Sequence, residues 1–236
     1  MTDLAEIRFL KLPFIFNVNR MKEEVAMLLQ GNWVPHFNKG GYTGDWNSIS
    51  LMAPKGDEAN IFALPDQQIV EMKETPALQN AVYLKEVLNY FKAPFLSARL
   101  LRLAPNAFIK PHKDYNLGYA NGCIRLHVPV ITNASIEFIL DGNLLKMQPG
   151  ECWYTNVNYT HSVANNSNSD RIHLVLDLYC NEWTDKLFFS LAPKEQFFME
   201  KTESYSQETQ LRMLEELKHI DTPAAKELIT KIKEGI

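Results

Sequence analysis

The sequence predicts a mainly β protein with flanking helices, its strands forming a β-sandwich or small barrel. Three observations carry this. Between about residues 96 and 180, short apolar and β-branched runs follow one another, from FLSARLLRL through CIRLHVPVI to RIHLVLDLY. Turn signals separate them, with Asp141-Gly142 a hairpin pair and Pro149-Gly150 a second turn. The spacing suits a sandwich or barrel rather than alternating β/α units.

Taken in order, residues 17–30 place Val18, Met21, Val25, Leu28 and Leu29 at helical spacing, with Asn17 or Asn19 as cap and Gly31 as stop. A glycine-rich loop follows, around one short strand at 46–52. Residues 76–91 read as a second helix with Pro76 in its first turn. The β series comes next. After Asn181 the pattern turns helical again, over 193–217 and 222–234. The expected organisation is one domain over 1–236, with a helical and loop flank (1–94), a β core (95–180) and a C-terminal helical extension (181–236).

Composition narrows the function classes. The 236 residues are 46% hydrophobic and 22% charged, enough for one sizeable core, and carry a net charge of −4. With no dense Lys/Arg block, nucleic acid is not an expected partner. No stretch approaches 18 consecutive apolar residues, so no membrane span is expected, and the N-terminus lacks a secretory pattern. Cys123, Cys152 and Cys180 form no C-x-x-C pair and read as free thiols, which points to a cytoplasmic protein.

Two strands repeat one pattern. In 124–130, Ile124, Leu126, Val128 and Val130 share a face and Arg125 and His127 share the other. In 171–178, Ile172, Leu174, Leu176 and Leu178 oppose Arg171, His173, Val175 and Asp177. The apolar faces need a cover that the helices can supply. The polar faces either meet solvent on a one-sided sheet or line an interior that must hold an anion, since a buried unpaired cation is costly.

His112 and Asp114, in KPHKDY, project the same way from an extended chain and can grip one ion. Divalent iron commonly takes two histidines and one carboxylate, so a second histidine is required. His36 reads as a loop residue and His219 as a surface helix residue. His161, opening HSVAN, is the best third ligand by position. Arg171 follows ten residues later and, on a hairpin neighbour, could face the same cavity.

PHKDY, IRLHVPV, GECWYTN and HSVANNSNSDRIHLVLD, in that order, resemble the aspartyl/asparaginyl β-hydroxylase family and its relatives, the bacterial free-proline hydroxylases. The likeness covers about residues 96–180, and GDWNSISL resembles the family's Trp-containing strand. It implies a double-stranded β-helix (jelly roll, cupin-like) core. It implies a dioxygenase that uses Fe(II), 2-oxoglutarate and O2 to hydroxylate an amino acid or amino-acid side chain, releasing succinate and CO2. His112, Asp114 and His161 would bind iron, and Arg171 would pair with the distal carboxylate of 2-oxoglutarate. Arg125, His127 and Trp46 match other cosubstrate positions. Leu101 stands where some members place a serine. Asp114 is a carboxylate that the animal peptidyl enzymes lack, which favours a small-molecule substrate, a free amino acid, over a peptide. The loop YNLGYANG (115–122) is expected to act as a mobile lid. The rival readings are another metal-dependent cupin enzyme that needs no Arg171, and a non-catalytic jelly-roll binding module.

Overall fold

The structure is a computed structural model that describes residues 6–63 and 70–198, together with 214, 215, 217, 218, 229 and 230. The chain forms two compact units, 1–199 and 200–236. The first unit begins with β1 (Phe9–Ile15) and α1 (Val18–Leu28), followed by β2 (Val34–Pro35), β3 (Tyr42–Thr43), β4 (Trp46–Pro54) and β5 (Met72–Glu74). After α2 (Pro76–Gln79) and α3 (Val82–Leu88) come β6 (Phe95–Leu103), β7 (Phe108–His112), β8 (Cys123–Ile131), β9 (Ile136–Leu140) and β10 (Asn143–Leu145). β11 (Glu151–Thr155), β12 (His161–Asn165), β13 (Arg171–Tyr179) and α4 (Glu182–Phe189) complete it.

These strands form two antiparallel sheets. One runs β1-β11-β8-β13-β6-β4-β2, with β5 added to β4; the other runs β10-β9-β12-β7-β3. From β6 onward the chain crosses back and forth. β6, β8, β11 and β13 belong to the larger sheet, and β7, β9, β10 and β12 to the smaller. This alternation winds two strands together, the jelly roll of the sequence expectation. β9 and β10 form the expected hairpin, with Asp141 at φ 48° and Gly142 at φ 76°, both in the left-handed region that a tight primed turn demands.

The sheet draws in more chain than the β core read from sequence. β1 lies in the N-terminal flank yet pairs with β11, and β4 pairs with β6. β1 carries Pro13 and a register shift between Leu12 and Ile15. An edge strand tolerates both, because its outer N–H groups need no partner. β7 is not among the strands read from sequence. Its FIKPH sequence contains a proline and polar residues, and pairing with β12 and β3 makes it a strand.

The helices cover the apolar face of the larger sheet. Asn17 caps α1 by accepting from the N–H groups of Asn19 and Arg20. Met21 and Val25 then pack on Leu126, Val128 and Leu174, together with Leu84 and Val87 of α3 and Phe188 of α4. Each such fully buried side chain stabilises the fold by about 1.5–3 kcal/mol. The helix expected over 76–91 is broken at Ala81, where φ is −112° and ψ is 81°. The Glu24 carboxylate of α1 accepts from the freed N–H groups of Tyr83 and Leu84 at 2.6 and 2.8 Å, which caps α3 and ties it to α1. Asn181 caps α4 in a full capping box with Thr184.

The helix expected from 193 begins instead with a 3-10 turn, Lys194–Phe197. Most of the rest of it and of the helix expected over 222–234, and His219 with them, lie outside the described residues. In the second unit, Leu214, Glu215, Leu217, Ile229 and Thr230 are helical. Cys123, Cys152 and Cys180 form no disulfide. Among the described residues no helix is long and apolar enough to cross a membrane.

Candidate functional site

The inner faces of the two sheets enclose the polar residues. Arg125, His127, Arg171, His173 and Asp177 are all 8% exposed or less, so the Arg-x-His faces line the interior rather than meet solvent. Phe138 of the smaller sheet bridges the gap. Its ring lies 5.3 Å from that of His127, and the Arg171 guanidinium sits 5.9 Å from its centroid.

His112 ends β7 and His161 opens β12, and the two are directly opposed in the pairing, with rings 4.1 Å apart. Asp114 lies just past the strand end, where its N–H donates to Val157 O at 2.9 Å. One ligand atom each from His112, Asp114 and His161 lies within 4.8 Å of the others. Backbone carbonyls fix both imidazoles. His112 Nδ1 donates to Lys110 O at 2.8 Å and His161 Nδ1 to Tyr159 O at 3.1 Å. A carbonyl only accepts, so both Nδ1 atoms carry a proton, which leaves Nε2 of each ring as the nitrogen available to a metal. Burial, with His112 beside it, pushes the His161 pKa down to about 4 and keeps that ring neutral. Burial alone would raise the Asp114 carboxyl, but Arg125, His161 and His112 outweigh it, and its pKa falls below the ordinary carboxylate range.

Arg125 is held between two carboxylates. Its Nε donates to Asp177 Oδ1 at 2.7 Å, and its Nη1 donates to Asp114. Asp177, fully buried, also accepts from Ser97 Oγ at 2.7 Å and from Arg99 Nη2 at 2.6 Å. The interior therefore supplies Arg125 with its own anions, a pairing that the sequence pattern placed on one face without joining. Arg99 is a site residue that the sequence reading missed. The Arg-x-x-Arg spacing in β6 gave no sign that one guanidinium points inward.

Arg171 differs. It is 2% exposed and meets no carboxylate among the described residues. Its Nη2 donates to His173 Nδ1 at 2.9 Å, and its Nε has no partner. Burial alone depresses its pKa. Both nitrogens of His127 and Nε2 of His173 are likewise buried and unpartnered. β12 and β13 are not the hairpin neighbours expected; they lie in opposite sheets, so His161 and Arg171 reach the interior from facing walls.

A cavity of about 490 Å³ opens on the His112–Asp114 side, lined also by Arg99, Arg125, Trp46 and Leu101. Trp46 lies flat on His36, centroids 3.5 Å apart and planes 13° apart, and its Nε1 is buried without a partner. His36, read as a plain loop residue, is thus part of the wall. Burial, then nearby Arg99, lowers its pKa to about 4. Only the start of the 115–122 loop borders the cavity. The remainder is pinned, because Leu117 and Tyr119 are buried, the Tyr119 N–H donates to Tyr154 Oη, and its hydroxyl donates to Asp185. A Cβ on Gly118 would come within 2.6 Å of Asn158 and Asn156 side-chain atoms. These anchors do not fit the lid expected there.

Among known proteins, the family model for aspartyl/asparaginyl β-hydroxylase matches residues 16–180. The L-proline cis-4-hydroxylase of Rhizobium meliloti (strain 1021) is 30% identical over 141 residues, 57% of this chain and 48% of that protein. The match thus spans about half that relative's length. A solved oxidoreductase of the 2OG-Fe(II) oxygenase family from Burkholderia pseudomallei superimposes with a TM-score of 0.50 at 14% identity, over 75% of this chain and 89% of that one. At that identity the likeness shows the fold alone.

Proposed function

The chain belongs to the aspartyl/asparaginyl β-hydroxylase family, and from that premise we propose that it is an Fe(II)- and 2-oxoglutarate-dependent dioxygenase that hydroxylates a C–H bond of an amino acid. The observation that carries this is Arg171, a buried guanidinium with no carboxylate partner among the described residues. A site left this way folds at a cost unless a ligand brings the anion. A planar fork suits the distal carboxylate of 2-oxoglutarate, and the unpartnered nitrogens of His127 stand beside it. A metal-dependent cupin enzyme with no keto-acid cosubstrate leaves Arg171 unexplained.

His112, Asp114 and His161 fit an iron(II) ion by chemistry: two imidazoles, that of His161 held neutral, and an ionised carboxylate, the donor set that iron(II) takes. When bound, iron with 2-oxoglutarate supplies the oxidising step: one atom of O2 converts R–H to R–OH, the other enters succinate, and the keto acid's C1 leaves as CO2. The chain's own part is to bind, orient and exclude water. Lys110 O and Tyr159 O aim the two Nε2 lone pairs. Arg125, braced by Asp177, holds Asp114 ionised and in place. Arg99 supplies a cation in the cavity wall that a substrate carboxylate can meet. Asp114, and the name of the curated relative, support a free amino acid over a peptide.

The test is succinate release across a panel of free amino acids and peptides with Fe(II) and ascorbate. Release that depends on an amino acid and is lost in His161→Ala supports the proposal. Metal-dependent turnover that needs no 2-oxoglutarate and survives Arg171→Ala overturns it.

A further inference from the structure

The cavity beside the candidate metal residues has an aromatic rim. Phe62 and Phe37 stand at its mouth, rings 5.1 Å apart, at 42% and 62% exposure. Phe37 continues onto His36 at 4.4 Å, His36 lies on Trp46, and Trp46 is 6.4 Å from the His112 ring. Four rings thus run without interruption from solvent to a candidate metal ligand. Single exposed aromatic side chains need no explanation; a paired set rimming a concave site marks a place where apolar surface is to be covered.

Size and charge point the same way. About 490 Å³ falls within the roughly 300–1,000 Å³ range of sites that take drug-sized ligands. The charged residues of the lining are Arg99, Lys113, Asp114 and Arg125, and Arg99 lies next to the aromatic end, its Nη1 donating to the carbonyl of Ile61, the neighbour of Phe62, at 2.8 Å. A substrate that meets Arg99 with its carboxylate therefore has the aromatic carbon of Phe62 and Phe37 beside its remaining part.

We propose that the substrate of this site is an amino acid with a large apolar side chain, aromatic or long aliphatic, whose apolar part lies along Phe37 and Phe62. This rests on the hydroxylase reading and sharpens it, with Phe37 and Phe62 as specificity-determining residues.

Calorimetric titration of the manganese(II)-loaded protein separates the two claims without turnover. The first arm titrates 2-oxoglutarate. The second titrates proline, alanine, leucine, phenylalanine and tryptophan into the protein holding both manganese(II) and 2-oxoglutarate. Phenylalanine, tryptophan or leucine should bind at least about tenfold more tightly than proline or alanine, since a single methylene in an apolar pocket is worth roughly that much. Phe37→Ala and Phe62→Ala should each remove most of that preference. If 2-oxoglutarate fails to bind, the hydroxylase reading fails and takes this inference with it. If it binds, and the small amino acids bind as tightly as the large, or none binds, or both variants keep the preference, this inference alone is overturned.

Discussion

Arg125 and Asp177 face each other across the β8–β13 pairing, Nε to Oδ1 at 2.7 Å, with the carboxylate wholly buried. Asp177 does not border the cavity, yet through Arg125 it reaches Asp114, one of the three residues assigned to the metal. Asp177→Asn should therefore act twice. Leaving Arg99 with no carboxylate, and Arg125 with Asp114 alone, should cost about 3–5 kcal/mol of stability, read by urea unfolding. Manganese(II) affinity should fall about 10- to 100-fold by calorimetry, as when a residue that orients a ligand is lost. Ser97→Ala, which removes one hydrogen bond to the same carboxylate and leaves both ion pairs in place, should cost less, about 1.5–3 kcal/mol.

Arg171 invites the opposite test. Arg171→Met keeps an unbranched apolar stem and deletes a buried cation that no carboxylate of the described chain offsets. The ligand-free protein should be as stable as the parent or more so, by about 1–4 kcal/mol. Affinity for 2-oxoglutarate should drop by about 2–5 kcal/mol, because the cosubstrate's carboxylate loses its partner. Unfolding curves with and without 2-oxoglutarate read both effects.

The buried histidines set a pH dependence. Burial, then the Arg171 charge, holds the pKa values of His127 and His173 well below the ordinary range. The folded state thus binds fewer protons than the unfolded chain once pH falls below about 6.5. Their contribution to stability is complete above that pH and is lost progressively as pH falls toward the depressed folded values. The slope should reach about 1.4 kcal/mol per pH unit for each histidine. Urea unfolding of ligand-free protein from about pH 7 to pH 5 measures it, and His127→Gln should flatten the curve.

Metal binding should stabilise the fold through three residues and no fewer. At a hundredfold excess over the dissociation constant, manganese(II) should add about 2.7 kcal/mol. His112→Ala and His161→Ala should each abolish the gain while shifting ligand-free stability much less, since His112 is half-buried and, among the described residues, each ring hydrogen-bonds to a backbone carbonyl alone. Thermal unfolding with and without metal checks this.

What could be read from sequence followed local rules. Period-two runs placed β8 and β13 and grouped their polar residues on one face, and Asn17, one of the two caps read for the first helix, does cap it; α4, capped by Asn181, begins before the helix read from 193 and is not among the helices read from sequence. The His112, Asp114 and His161 set came together because an extended i, i+2 pair needs only one partner strand in register. The missed features depend on pairing between distant segments. Pro13 and Pro111 hid β1 and β7, which hold their places through β11 and β12. The Asp177–Arg125 bridge depends on the register of two strands 52 positions apart in the chain. His36 gave no signal because its role comes from the Trp46 ring beneath it.

The central claim is that one metal ion sits among His112, Asp114 and His161 while 2-oxoglutarate reaches Arg171. A crystal structure of the protein with manganese(II) and 2-oxoglutarate under anaerobic conditions tests it most directly. The expected result is an anomalous peak bonded to both Nε2 atoms and the Asp114 carboxylate, with the distal carboxylate of 2-oxoglutarate on the Arg171 guanidinium. Metal bound elsewhere, or a cosubstrate that leaves Arg171 unpaired, would contradict it.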